Sequence, residues 1–145
     1  MGIDPRGPRF GALITTAVFA IVLIVGSVHP VAAASLLGAQ AVVFAVATFF
    51  GMRRAPYGLI YRYLVRPRLA PPKELEAEAP PRFAQGVGLV IAVIGAAGYA
   101  TGITPLGIVA AAMGLLAAFL NGAFGLCLGC ELYLIIRRTV PVRQA

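Results

Sequence analysis

Long apolar stretches separated by short polar ones dominate this chain, and four of them cover residues 10–28, 31–50, 83–101 and 105–136. A helix needs roughly 17–25 apolar residues to cross a hydrocarbon layer of roughly 30 Å. The first three runs fit that length, but the fourth is too long. As one helix it would reach about 48 Å at 1.5 Å per residue, so it must protrude, tilt or break. Asn121, Gly122 and Gly125 are the weak points for a continuous helix and place the break there. The expected spans are therefore about 10–28, 31–50, 83–101 and 105–121, with a linker over 51–82 and a separate helix over about 123–138. All of these elements belong to one membrane domain, 1–145.

Two internal echoes suggest how the spans are grouped. Pro8-Arg9-Phe10 opens the first span and Pro81-Arg82-Phe83 opens the third. Tyr57-Gly58-Leu59 in the linker is matched by Phe124-Gly125-Leu126 after the fourth span. The fold class that results is an all-α membrane protein, a four-transmembrane-helix bundle made of two tandem helical hairpins. The hairpins are parallel repeats, each followed by a short interfacial helix rich in aromatic residues and arginine. Ala110, Gly114, Ala118 and Gly122 recur every four residues on the fourth run, a small-residue line suited to close helix packing in lipid. The linker 67–81 holds five prolines together with Glu74, Glu76 and Glu78, which reads as a loop lying over one face of the bundle.

Composition agrees with a bilayer as part of the solvent. The chain is 60% hydrophobic and 12% charged, with a mean hydropathy of +0.91. Its formal charge of +7 would suggest nucleic acid in a soluble protein, but the placement of the cations argues otherwise. Every Lys and Arg precedes the first run, lies between the second and third, or follows the fourth. That one-sidedness is the positive-inside pattern, with both termini and the linker in the cytoplasm and the cations facing anionic headgroups. A small-residue sequence after the first run, Val31-Ala-Ala-Ala-Ser35, mimics a secretory cleavage site. It leads at once into another apolar run and is read as part of the second span. Arginine outnumbers lysine eleven to one amid abundant alanine and glycine, the composition of a bacterial protein from a high-GC genome. The expected location is the bacterial inner membrane.

The candidate chemistry lies near the C-terminal end. Cys127 and Cys130 are the two cysteines of the chain, and Glu131 is the carboxylate set inside the apolar run. A C-x-x-C spacing lets two sulfurs react with each other or grip one soft atom, and a helix start or a nearby cation favours the thiolate. An ionised Glu131 alone would be costly there, so a linker arginine, Arg62 or Arg66, is expected to pair with it and ease thiolate formation. Three uses of the pair stand side by side: redox or sulfur chemistry, packing of two small apolar side chains, and metal binding through Cys127 and Cys130. No cofactor is expected. A structural zinc site needs four ligands, which a homo-oligomer would supply by bringing two pairs together, but nothing in the sequence asks for it.

The segments 4–10 (DPRGPRF), 53–57 (RRAPY), 64–67 (LVRP), 81–83 (PRF) and above all 121–133 (NGAFGLCLGCELY) resemble the domain-of-unknown-function 4395 family. These are small integral membrane proteins of bacteria. The resemblance implies that Cys127 and Cys130 are the family's site, with Asn121 and Glu131 as companions. It also implies a gene neighbourhood, since such proteins are often encoded near thioredoxin-like or rhodanese-like sulfurtransferase proteins. The leading expectation is a membrane thiol protein that exchanges disulfide electrons or sulfane sulfur with such a partner. Its alternative is a non-catalytic membrane subunit or a small-solute or soft-metal transporter.

Overall fold

A computed structural model describes residues 2–139 of the chain. Four long helices form the bundle: α1 (Arg6–Gly26), α2 (Pro30–Phe50), α4 (Ala79–Ala100) and α5 (Thr104–Phe124). All four are long and apolar enough to cross a membrane, and the chain is a multi-pass membrane protein. The short helix α3 (Pro56–Ile60) runs on through a π-type turn at Tyr61–Val65 and a tight turn at Arg66–Arg68. A final helix, α6, covers Leu128–Thr139. Two residues of the N-terminal arm, β1 (Gly2–Ile3), pair antiparallel with two of the linker, β2 (Glu76–Ala77).

Proline marks the starts of α2, α3, α4 and α5, where its missing N–H costs no intrahelical bond. Glycine marks the exits. Gly51, Gly102 and Gly125 carry the positive φ values of 97°, 84° and 71° that follow α2, α4 and α5. At the tight connection between α1 and α2, His29 caps α2 by accepting the Ala32 N–H at 3.2 Å on its Nδ1.

α2 packs most extensively on α4, and α1 on α5, with α4 also laid along α5. The centre is built from aromatic rings set into glycine notches. Phe19 and Phe44 stack with centroids 6.4 Å apart. A Cβ at Gly114 would come within 2.5 Å of the Phe19 ring, and one at Gly88 within 2.8 Å of Phe44. At the other end of the bundle the Tyr99 ring sits against Gly107, and α4 and α5 touch backbone to backbone where a Cβ on Gly98 would lie 2.6 Å from the Gly107 nitrogen. Outward-facing Ile24, Val42, Phe49, Val109 and Leu116 stay exposed. An apolar exterior of that kind is suited to lipid, not water.

Interactions at the polar ends of the spans recur at nearly equal intervals along the chain. Arg82 donates to the Thr48 and Phe49 carbonyls at the end of α2, at 2.7 and 3.2 Å, while Arg9 donates to the Gly122 carbonyl near the end of α5 at 3.4 Å. Each guanidinium meets the negative end of a helix dipole. Phe10 packs on Tyr61 at 5.8 Å and 46°, and Phe83 on Tyr133 at 5.6 Å and 47°.

The N-terminal arm is tied down by Asp4. Its Oδ1 accepts from the Arg6 backbone N–H at 3.0 Å and from Nε at 3.1 Å; its Oδ2 accepts from Arg6 Nη2 at 3.0 Å and from the Tyr61 hydroxyl at 2.9 Å. Burial pushes the Asp4 carboxyl up, but the hydrogen bonds from Arg6 and Tyr61 outweigh it and hold the group below its ordinary value of 3.8.

Replacing Gly98 with Val forces α4 and α5 apart and costs roughly 1–3 kcal/mol or more, seen as a lower melting temperature in detergent. Gly38→Ala, with nothing within 4 Å of the added carbon, does not lower the melting temperature and, by favouring the helix, raises it slightly. A carboxyl with a depressed folded pKa contributes stability above its unfolded value and loses that contribution as pH falls through the folded one. The Asp4 contribution to protection of the arm against proteolysis is therefore expected to start falling as pH drops below about 3.8, the ordinary value, and to be lost only once pH is below the lowered folded value; the pH step is absent in Asp4→Asn.

Candidate functional site

The overlong fourth run is interrupted at Gly125. The Gly125 N–H donates to the Asn121 carbonyl at 2.9 Å and the Leu126 N–H to the Leu120 carbonyl at 3.1 Å, which occupies carbonyls left open at the end of α5. The chain then leaves helical geometry and re-enters it at Leu128, not near residue 123. Cys127 is consequently not inside a helix. It stands at the cap of α6: its carbonyl accepts the Glu131 N–H at 3.0 Å, and its Sγ accepts the Cys130 N–H at 3.1 Å. Sulfur here does the work usually given to a Ser, Thr or Asp oxygen.

Cys130, in the first turn, completes the pair. The two cysteines are joined as a disulfide with Cα atoms 5.2 Å apart, and both are half-buried. In the reduced form, the backbone N–H at Cys127 Sγ and the positive end of the α6 dipole would favour a thiolate on Cys127 over one on Cys130.

α6 is held in place by α4. Gly129 lies so close to Ala84 that a Cβ would come within 2.6 Å of the alanine Cβ, and one turn later Tyr133 meets Phe83. Arg137 covers the outer face of Tyr133, 5.8 Å from the ring centroid. This anchoring turns Cys127, Cys130 and Glu131 toward a cavity of about 390 Å³ that Arg9, Asn121 and Gln85 also line.

Asn121, Cys127, Cys130 and Glu131 are thus brought together. Arg62 and Arg66 are not. They line a separate cavity beside Asp4 and Tyr61, and no ion pair joins either of them to Glu131. The expected Glu131–arginine pair is corrected on that ground: the segment carrying Arg62 and Arg66 packs on α1, whereas α6 packs on α4. Glu131 instead stays exposed. Arg9 is the cation that shares the cysteine cavity, and reading the sequence overlooked it. Its signal was present in the repeated Pro-Arg-Phe, since Arg9 stands against the end of α5 as Arg82 stands against the end of α2. Among the described residues no cluster of three or more His, Cys, Asp and Glu could hold a metal ion.

In reduced membranes, Arg9→Gln is expected to slow alkylation of Cys127 by a small permeant maleimide at neutral pH by about two- to ten-fold, and Glu131→Gln to speed it. Arg62→Gln leaves the rate unchanged. Equal rates in the wild type, Arg9→Gln and Glu131→Gln would show that neither charge acts on the thiol.

Over residues 3–138 the chain matches the model of a family described as a domain of unknown function, DUF4395. No curated protein matches the chain, and neither does any solved structure.

Proposed function

The chain belongs to the DUF4395 family, and for it we propose a membrane thiol protein whose Cys127–Cys130 pair exchanges two electrons with a cytoplasmic thioredoxin-like partner. A rhodanese-like partner passing sulfane sulfur to the same thiolate is the sulfur-transfer form of this reading. One observation carries it: a bonded cysteine pair opens onto a cavity at the start of a helix, with Cys127 Sγ already accepting a backbone N–H.

In the exchange, a partner thiolate attacks Cys127 Sγ and the Cys127–Cys130 bond breaks, leaving a mixed disulfide and a Cys130 thiolate that takes up a proton. The partner's second thiolate attacks its own sulfur in the mixed disulfide and releases Cys127 as a thiolate. The partner ends as a disulfide and the membrane pair as a dithiol; the reverse sequence oxidises the pair. Cys127 is the sulfur that forms the mixed disulfide in both directions. Cys130 is the resolving thiol.

We place this site on the cytoplasmic face of a bacterial inner membrane, with both termini and the linker on that side. The one-sided distribution of Lys and Arg supports this orientation. We read the bundle as two tandem hairpins. The matching Arg9 and Arg82 contacts and the paired Phe10–Tyr61 and Phe83–Tyr133 packing support that reading.

A Cys130→Ser variant is expected to retain the disulfide form of a thioredoxin-type protein: the Cys127 thiolate attacks that disulfide, an alkylating quench caps the partner thiol released, and dithiothreitol frees the mixed disulfide; the Cys127→Ser, Cys130→Ser double variant retains none. The purified wild type should take two electrons per chain from the dithiol form of the same protein. No mixed disulfide with Cys130→Ser, and no reduction of the wild type, would overturn the exchange. Reporter fusions after Arg66 and after Ala145 should report the same side; opposite sides would overturn the topology.

A further inference from the structure

A cavity of about 450 Å³ at the polar ends of the spans does not contain the cysteines. It lies between the N-terminal arm, the start of α1 and the segment 52–66, and Arg53, Arg62 and Arg66 are on its wall. Gly7, Gly11 and Gly58 also line it.

The charge balance of this wall is uneven. Asp4 is its one carboxylate, and both Asp4 oxygens are taken up by Arg6 and Tyr61. An acceptor with two oxygens and about four lone-pair sites has nothing left for a further guanidinium. The Tyr57 hydroxyl is likewise committed, donating to Gln40 Oε1 at 2.6 Å. Arg62, in the π-type turn, and Arg66, at the start of the tight turn that follows it, line the same wall and have no carboxylate partner among the described residues. Like charges on one wall repel, and an anion between them relieves that repulsion. A pair of planar donor forks facing an open volume matches the oxygens of a phosphate group.

We propose that this cavity binds a phosphate-type anion, with Arg62 and Arg66 as the cation pair that holds it. This goes beyond the thiol reading and does not depend on it. Two sources share the chemistry: the headgroup of an anionic phospholipid reaching in from the membrane surface, and a free phosphate from solution.

The test uses the full-length protein purified in detergent. One arm measures the melting temperature against inorganic phosphate, with chloride at equal ionic strength as the reference. The other measures by native mass spectrometry whether phosphatidylglycerol is retained over phosphatidylcholine. The expected result is a phosphate-dependent rise in melting temperature, or retention of phosphatidylglycerol at least several-fold above phosphatidylcholine. The effect should fall by about ten-fold in Arg62→Gln, Arg66→Gln, stay partly intact in Arg62→Lys, Arg66→Lys, and be unchanged in Arg137→Gln, Arg138→Gln. A phosphate response identifies a free phosphate as the ligand, and selective retention identifies a lipid. The proposal is overturned if neither probe binds the wild type, or if the α6 double variant loses binding as fully as the Arg62, Arg66 variant.

Discussion

Helices in lipid gain little from the hydrophobic effect when they meet, because the solvent they leave is as apolar as their own side chains. Association must come from close contact, and this bundle obtains it by seating aromatic rings against glycine. Phe19 meets Gly114, Phe44 meets Gly88, and Tyr99 meets Gly26 and Gly107, while Gly98 lets α4 and α5 touch through backbone. Each contact fixes how far apart two helices stand and how they are rotated. The polar ends of the spans inherit those positions, and both cavities are built on them.

The cysteine site depends on this frame through a change of direction at Gly125. Had the fourth apolar run continued as one helix, Cys127 would have been an interior residue with its N–H and carbonyl in the helical ladder. The αL geometry of Gly125 ends α5, and the contacts of Gly129 and Tyr133 with α4 fix where α6 can lie. Cys127 is left at the junction, where its sulfur faces the unpaired N–H groups of a new helix. A cysteine in an ordinary membrane helix packs as a small apolar side chain; one at a helix start beside a cation has an environment that favours the thiolate.

The two cavities divide the polar groups between them. Arg9, Glu131 and the cysteines line one; Asp4, Tyr61, Arg62 and Arg66 line the other, and Pro8 and Gln85 border both. The division follows from packing, because the segment holding Arg62 and Arg66 rests on α1 while α6 rests on α4. Sulfur chemistry and anion binding can therefore occupy neighbouring volumes without sharing their charged residues.

Much of this was legible in the sequence because it depends on local properties. Run length and hydropathy determine that a segment crosses a membrane, proline and glycine determine where helices start and stop, and the spacing of Cys127 and Cys130 keeps their sulfurs close whatever lies around them. The repeated Pro-Arg-Phe announced matching contacts, although it did not say that each arginine would stand against the carbonyl end of a helix in the other half of the chain. The partner of a charge was not legible. Glu131 was expected beside Arg62 or Arg66, yet it shares a cavity with Arg9, more than a hundred residues away in sequence. Which cation meets which anion depends on the rotation and pairing of whole helices, set by ring-into-glycine contacts distant from either charge, and only the assembled bundle decides that.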